Sequence, residues 1–215
     1  MNIYIYILVI AAIMIIAYIT ICLGMRCCPK KIKEMLVISV ILVALRVVAI
    51  AVLIIVKTPN YTSFVRNLVF LNIVYIPIVM FICLYIFYRN IDVNIKWFYG
   101  ILISGIIVYL VSIFKIPMEY YVSEIYGYNI ILKSSIPYKI LLCVNGFGFF
   151  MSIVGFRYRY SVKWGTILIG FSSLVFIGAM AKALSGMESI GYLLLGDLAW
   201  MIALCGGMVT FKEKH

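Results

Sequence analysis

Two side chains in this sequence carry charge where charge is expensive. Arg46 stands in the middle of the apolar run Val43-Ala44-Leu45-Arg46-Val47-Val48-Ala49, and Asp197 interrupts a second run at Leu195-Gly196-Asp197-Leu198. An arginine at the centre of a lipid-embedded helix costs roughly 2.5 kcal/mol or more, so it is expected to turn inward and pair. Asp197 is the only acidic residue deep within any of the long apolar runs and is the natural partner. At about 1.5 Å of rise per residue, Arg46 lies roughly 16 Å below the outer end of its run and Asp197 roughly 9 Å below that of its own. An arginine reaching outward closes most of that gap. Lys182, near the outer end of the sixth run, could approach the same carboxylate from above.

Such a pair can do one of two things. It can fix how two helices meet, because a buried ion pair sets registry as much as it adds stability. It can instead line an outward-facing cavity and bind a small anionic or zwitterionic solute, or switch between pairing states, as intramembrane charges often do. Other polar residues extend the candidate set. Ser39 shares the helical face of Arg46 seven residues earlier. Asn72 and Tyr75 share a face close to Pro77, which cannot donate a backbone hydrogen bond to Ile73 and should kink its helix. Asn145 heads a stripe of small residues with Gly148, Ser152 and Gly155. The candidate binding residues are therefore Arg46, Asp197, Lys182, Asn72 and Asn145.

Much other chemistry is excluded. The sole histidine is His215, so no histidine-based zinc site can be assembled. Asp92 and Asp197, the two aspartates, fall on opposite sides of the expected membrane, which removes a paired-aspartate protease. The seventh run has no lysine to carry a retinal Schiff base. No phosphate-cradling or dinucleotide glycine motif follows a strand. The cysteines Cys22, Cys27, Cys28, Cys83, Cys143 and Cys205 form no CxxC pair and suggest neither a disulfide framework nor a metal site. Cys27 and Cys28 do stand where a juxtamembrane acylation site would. No cofactor is expected, and no catalytic constellation is recognisable.

The elements that must position these residues are apolar helices. Sixty-seven per cent of the 215 residues are hydrophobic, against about half in a soluble domain, and mean hydropathy is +1.20. The sequence predicts an all-α, polytopic transmembrane bundle forming a single domain, with seven runs of about twenty residues. These runs cover roughly 2–25, 35–56, 68–88, 98–116, 139–156, 164–184 and 191–211. The first lacks a positive leader and a small-residue cleavage site, so it reads as an uncleaved anchor. The net charge of +11 flanks the runs and forms no continuous basic face, which argues against nucleic acid. Excluding Arg46, eleven Lys and Arg residues fall on one side, including Arg26, Lys30, Lys33, Arg89, Arg157 and Lys163; six fall on the other. The positive-inside rule then places the N-terminus outside and the C-terminus in the cytoplasm of a cell-membrane protein.

Between runs four and five lies a loop, 117–138, carrying Tyr120, Tyr121, Tyr126, Tyr128 and Tyr138. Tyrosines at this density suit the headgroup region, so the plainer expectation is an interfacial segment and the sharper one a lid over an external site. Small residues line up on run six as Gly170, Gly178, Ala179 and Ala183, and on run seven as Gly196, Ala199, Ala203, Gly206 and Gly207. Such stripes mark faces turned toward other helices.

Three functional classes fit this frame. The first is a receptor-like or sensory module; with few residues after the last run, it is expected to act through a separate partner protein. The second is a solute-binding or transport subunit working with an energising partner, although no internal repeat supports it. The third is a lipid-acting enzyme, for which acid and base candidates are few.

Overall fold

The computed structural model describes residues 3–55, 65, 67–88, 96–123, 127–185 and 189–212. Each predicted run becomes one helix: α1 Ile3–Cys27, α2 Lys30–Ile55, α3 Asn72–Tyr88, α4 Lys96–Lys115, α5 Ile136–Arg157, α6 Lys163–Leu184 and α7 Ser189–Lys212. Several ends extend past the apolar runs, by two residues at the close of α1 and five at the start of α2, whereas α3 begins four residues inside its run. Counting apolar residues finds where the hydrocarbon ends, whereas a helix can continue into the headgroup layer. α2 shows this: it begins behind Pro29, whose carbonyl accepts from Lys33 N at 3.1 Å, and carries Lys30 and Lys33 in its first turn. Lys57, Arg66, Arg89, Asp92, Lys214 and His215 lie outside the described residues.

Among the described residues, six helical segments are long and apolar enough to cross a membrane, the third of them running Asn67–Tyr88. The seventh apolar segment, Tyr99–Lys115 within α4, is shorter. The exposed surface of these helices is apolar: Leu8 and Tyr18 on α1, Ile107 and Phe114 on α4, Phe150 on α5 and Phe171 on α6 all face outward. A helix hydrophobic on its outer face as well as its inner one has lipid for its solvent. The protein is a membrane-embedded helical bundle.

The bundle is built around α3. Seventy-eight per cent of that span is buried, against 28% for α1 and α5. α2, α4, α5, α6 and α7 all touch α3, while α1 closes the periphery against α2 and α7. At the opposite end from the start of α3, Val162 N donates to Phe87 O at 2.8 Å, docking the α5–α6 turn onto the end of α3.

Small residues permit this density. All four members of the α5 stripe, Asn145, Gly148, Ser152 and Gly155, are buried. On α7, Gly196, Ala199, Ala203 and Gly207 are buried and Gly206 partly so. A side chain at Gly196 would run into the ring of Phe176, so that glycine sets how closely α6 and α7 approach. The α6 stripe needs a correction. Gly170, Ala179 and Ala183 face inward, but Gly178 is exposed, with nothing within 4 Å of where its Cβ would be. It lies on the outer side of the helix because a turn of 3.6 residues puts it about 100° from Ala179.

The 117–138 loop contains the only β-strands among the described residues. β1 (Met118–Ser123) and β2 (Gly127–Leu132) pair antiparallel, with Met118 opposite Leu132 and Ser123 opposite Gly127. Both strands are rich in aromatic and β-branched residues, which favour a pleated surface. Tyr126 and the side chains of Tyr120, Tyr121 and Tyr128 lie outside the described residues, while Tyr138, at the start of α5, is buried.

Candidate functional site

The site begins with a fault in the backbone of the central helix. Ahead of α3 proper, the chain makes a helical turn at 67–69 and a non-helical turn at Phe70 and Leu71. Here the hydrogen bonds tighten to three-residue spacing, from Leu71 N to Leu68 O, Ile73 N to Phe70 O and Val74 N to Leu71 O. Ile73 thus bonds Phe70, and the carbonyl of Val69 becomes available to a side chain. In lipid a free carbonyl must find a donor within the protein. Arg46 supplies it: Nε donates to Val69 O at 2.6 Å.

The rest of the guanidinium faces α3 and α7. Arg46 Nη1 donates to the Tyr75 hydroxyl at 3.0 Å and makes an ion pair with Asp197 Oδ2. Tyr75 in turn donates its hydroxyl hydrogen to Asp197 Oδ1. Arg46 and Tyr75 are 1% exposed and Asp197 not at all, so the network is sealed from its surroundings. The expected partnership of Arg46 with Asp197 is therefore present, tying α2 to α7 with α3 between them. Opposite charges in contact cancel most of the field each would project, and the Tyr75 bridge and Val69 carbonyl meet further hydrogen-bonding capacity. A buried pair compensates its desolvation only when such extra bonds are made.

The remaining candidates distribute differently. Asn145 is wholly buried but belongs to a separate contact: Trp200 Nε1 donates to its Oδ1 at 2.9 Å, and its Nδ2 donates to Leu141 O at 2.8 Å. It ties α5 to α7. Asn72 opens α3 and is buried, with no hydrogen-bond donor meeting its Oδ1 among the described residues. Ser39 turns back on its own helix, donating to Met35 O at 2.9 Å. Lys182 is a correction. It does not approach Asp197 but lies exposed, its Nζ 4.0 Å from the ring centroid of Tyr192. Its long stem keeps the ammonium out of the apolar interior, and an aromatic face near the α6–α7 turn gives it a cation–π contact.

The hairpin leans on the same two helices that the ion pair joins. β2 packs against α2 and α7, with Ile130 and Leu132 buried. Residues two apart in a strand point to one side, so these two form the inward face. Leu132 N is anchored at 3.3 Å by the hydroxyl of Tyr138, whose ring is itself buried. On the outer side, Lys133 Nζ stands 3.5 Å from Glu119 Oε1, with both side chains exposed.

Sequence reasoning missed Tyr75 as the bridge and Val69 as an acceptor. Tyr75 had a visible signal, a phenol in a largely apolar stretch, which requires a partner when buried. Val69 had none, because any residue can free a carbonyl.

Among the described residues, no group of three His, Cys, Asp or Glu side chains could hold a metal ion. All six cysteines are free, and Cys28 Sγ rests 3.3 Å from Met208 Sδ. No protein-family model matches the chain, and no curated protein is detectably similar to it.

Proposed function

We propose that the protein is a multi-pass cell-membrane protein of seven spans, N-terminus outside and C-terminus cytoplasmic, that works as a receptor-like sensory module. The observation that supports this reading is the stacking of the hairpin on α2 and α7, the helices latched by Arg46 and Asp197. Lid and latch share the same two supports, so a displacement of either is felt by the other.

The ligand that suits the latch is small and zwitterionic. Its anionic group would take the place of Asp197 at the guanidinium, and its cationic group would take the place of Arg46 at the carboxylate. Each charge then keeps a partner while α2 and α7 separate. A ligand shifts such an equilibrium only by the difference in its affinity for the two states, and exchanging one paired state for another keeps that difference within reach. The buried acceptor on Asn72 offers a further contact at the start of α3. The change in helix spacing would pass to a separate partner protein in the membrane or at the cytoplasmic face.

The test is a thermal-shift screen of the detergent-purified full chain against small zwitterions and simple anions. A zwitterion that binds should raise the melting temperature by linkage and should do so much less in Asp197→Asn, whereas a purely anionic compound should retain its effect in that variant. Absence of any stabilising compound, together with an unchanged melting temperature when the hairpin is crosslinked to α7, would sink the sensory reading and leave the pair as a structural clamp.

A further inference from the structure

Among the described residues, the ring of helices is incomplete on the far side of α3 from α1. α4 leans chiefly on α3, and between it and α5 a groove of about 440 Å³ runs down to α3. Its floor includes Pro77 and its walls include Ser104, Gly105, Ile140, Cys143 and Phe147. A Cβ at Gly105 would stand 3.5 Å from the Val74 backbone, so α4 lies close against α3 while diverging from α5. The hydroxyl on the wall is spent, since Ser104 Oγ donates to Ile101 O at 2.9 Å. The lining is otherwise apolar.

We infer that this groove holds one acyl chain of an anionic phospholipid, whose head group is met by Lys115 and Lys139. The inference rests on the membrane-spanning reading. The lining argues for an alkyl chain, since apart from the already bonded Ser104 hydroxyl no hydroxyl, amide or charged side chain lies in it. Charge argues for the head group. α4 and α5 run in opposite directions, so the end of one wall and the start of the other meet at the hairpin end of the bundle. Lys115 closes α4 there, seven residues beyond Val108 on the same face, and Lys139 stands one turn before Cys143 on α5. Both lysines are exposed, and neither is in an ion pair among the described residues. Lysines on the two walls of an apolar slot place positive charge where a phosphate would sit, with their stems lying along the alkyl surface.

Cys143 is a natural reporter, because it is exposed and lines the groove. The experiment uses the delipidated full chain in a non-ionic detergent. Phosphatidylglycerol or phosphatidylcholine with the same acyl chains is added, with inorganic phosphate as a head-group control. Native mass spectrometry counts retained lipid, and mass spectrometry after maleimide treatment gives the labelling rate of Cys143. One phosphatidylglycerol should be retained per chain, at least tenfold more tightly than phosphatidylcholine, and should slow Cys143 labelling about tenfold; phosphate should do neither. Lys115→Gln with Lys139→Gln should abolish the preference between the two lipids. Cys143→Phe, which fills the groove, should abolish retention of both. The inference is overturned by equal retention of the two lipids in the unaltered chain, or by a preference that survives loss of both lysines. It is equally overturned if Cys143 becomes protected with rising protein concentration and no lipid, since a second copy then covers the groove. Should Cys143→Phe fail to fold, the lysine variant and the labelling rate still decide. Membrane topology, measured by labelling loop cysteines from either side, is a separate readout and can stand when lipid binding fails.

Discussion

The carbonyl of Val69 accepts a hydrogen bond from Arg46 Nε at 2.6 Å, so the guanidinium is held by backbone as well as by its counter-ion. This makes the shape of the side chain matter, not only its charge. Lysine has no nitrogen at the Nε position and cannot fork between the carbonyl and the Tyr75–Asp197 pair. Arg46→Lys is expected to lose about 1–3 kcal/mol of stability through the unmet Val69 carbonyl, read as a lowered unfolding midpoint in detergent.

Removing either charge should cost more than removing both. Arg46→Ala leaves Asp197 buried and unpaired, an effect of about 3–5 kcal/mol for a broken buried pair. Arg46→Ala combined with Asp197→Ala should recover part of that loss in the same unfolding measurement. A double variant no better than the two single ones would disprove the pairing.

Tyr75→Phe keeps both charges and removes the bridge between them. Loss of a hydrogen bond to a charged group is worth about 1.5–3 kcal/mol, and the cycle formed with Asp197→Asn should show that the two effects do not add. Additivity would mean that the hydroxyl works independently of the carboxylate.

Trp200 and Asn145 form a second, neutral tie. Hydrogen bonds between helices in lipid average about 0.6 kcal/mol and reach about 1.7, so Trp200→Phe should lower stability only modestly. It should leave any ligand response at Arg46 unchanged, because Asn145 bonds Trp200 and Leu141 and not the ion pair. A lost ligand response would join the two clusters.

Cys28 offers a test by pH. Burial, with the neighbouring Cys27 adding to it and Lys33 opposing, pushes its thiol up to about 11. The thiolate is the reactive form, so alkylation of Cys28 should be slow at neutral pH and climb about tenfold per pH unit until close to pH 11. The site is correspondingly a poor nucleophile for uncatalysed acylation. A labelling rate that levels off near pH 8.5, followed by peptide mass spectrometry, would contradict this.

The helices and the Arg46–Asp197 contact were legible because both follow from what lipid refuses: exposed backbone and unpaired charge. Arg46 and Asp197 were the inward charges of their runs and had no other counter-ions at that depth. Lys182 was misjudged because it stood close enough to the outer end to leave the interior, and an aromatic ring at Tyr192 drew it there. The fault at Phe70 and Leu71 was invisible. Pro77 advertised a break, but the tightened hydrogen bonds lie before it, where no residue type marks the change. The hairpin had its own signal in two β-rich runs separated by a short connection, obscured by the expectation that a tyrosine-rich loop would lie along the interface.

The order in which the chain is made gives the Val69 and Tyr75 contacts a second role. Asp197 is synthesised about 150 residues after Arg46, on the order of 8–30 s later at about 5–20 residues per second. Val69 and Tyr75 follow Arg46 by only 23 and 29 residues. A hairpin of α2 and α3 can therefore shelter the guanidinium with neutral oxygens while four helices are still to come. The carboxylate that completes the bundle is also the last to reach it, which makes the ion pair a mark of finished assembly.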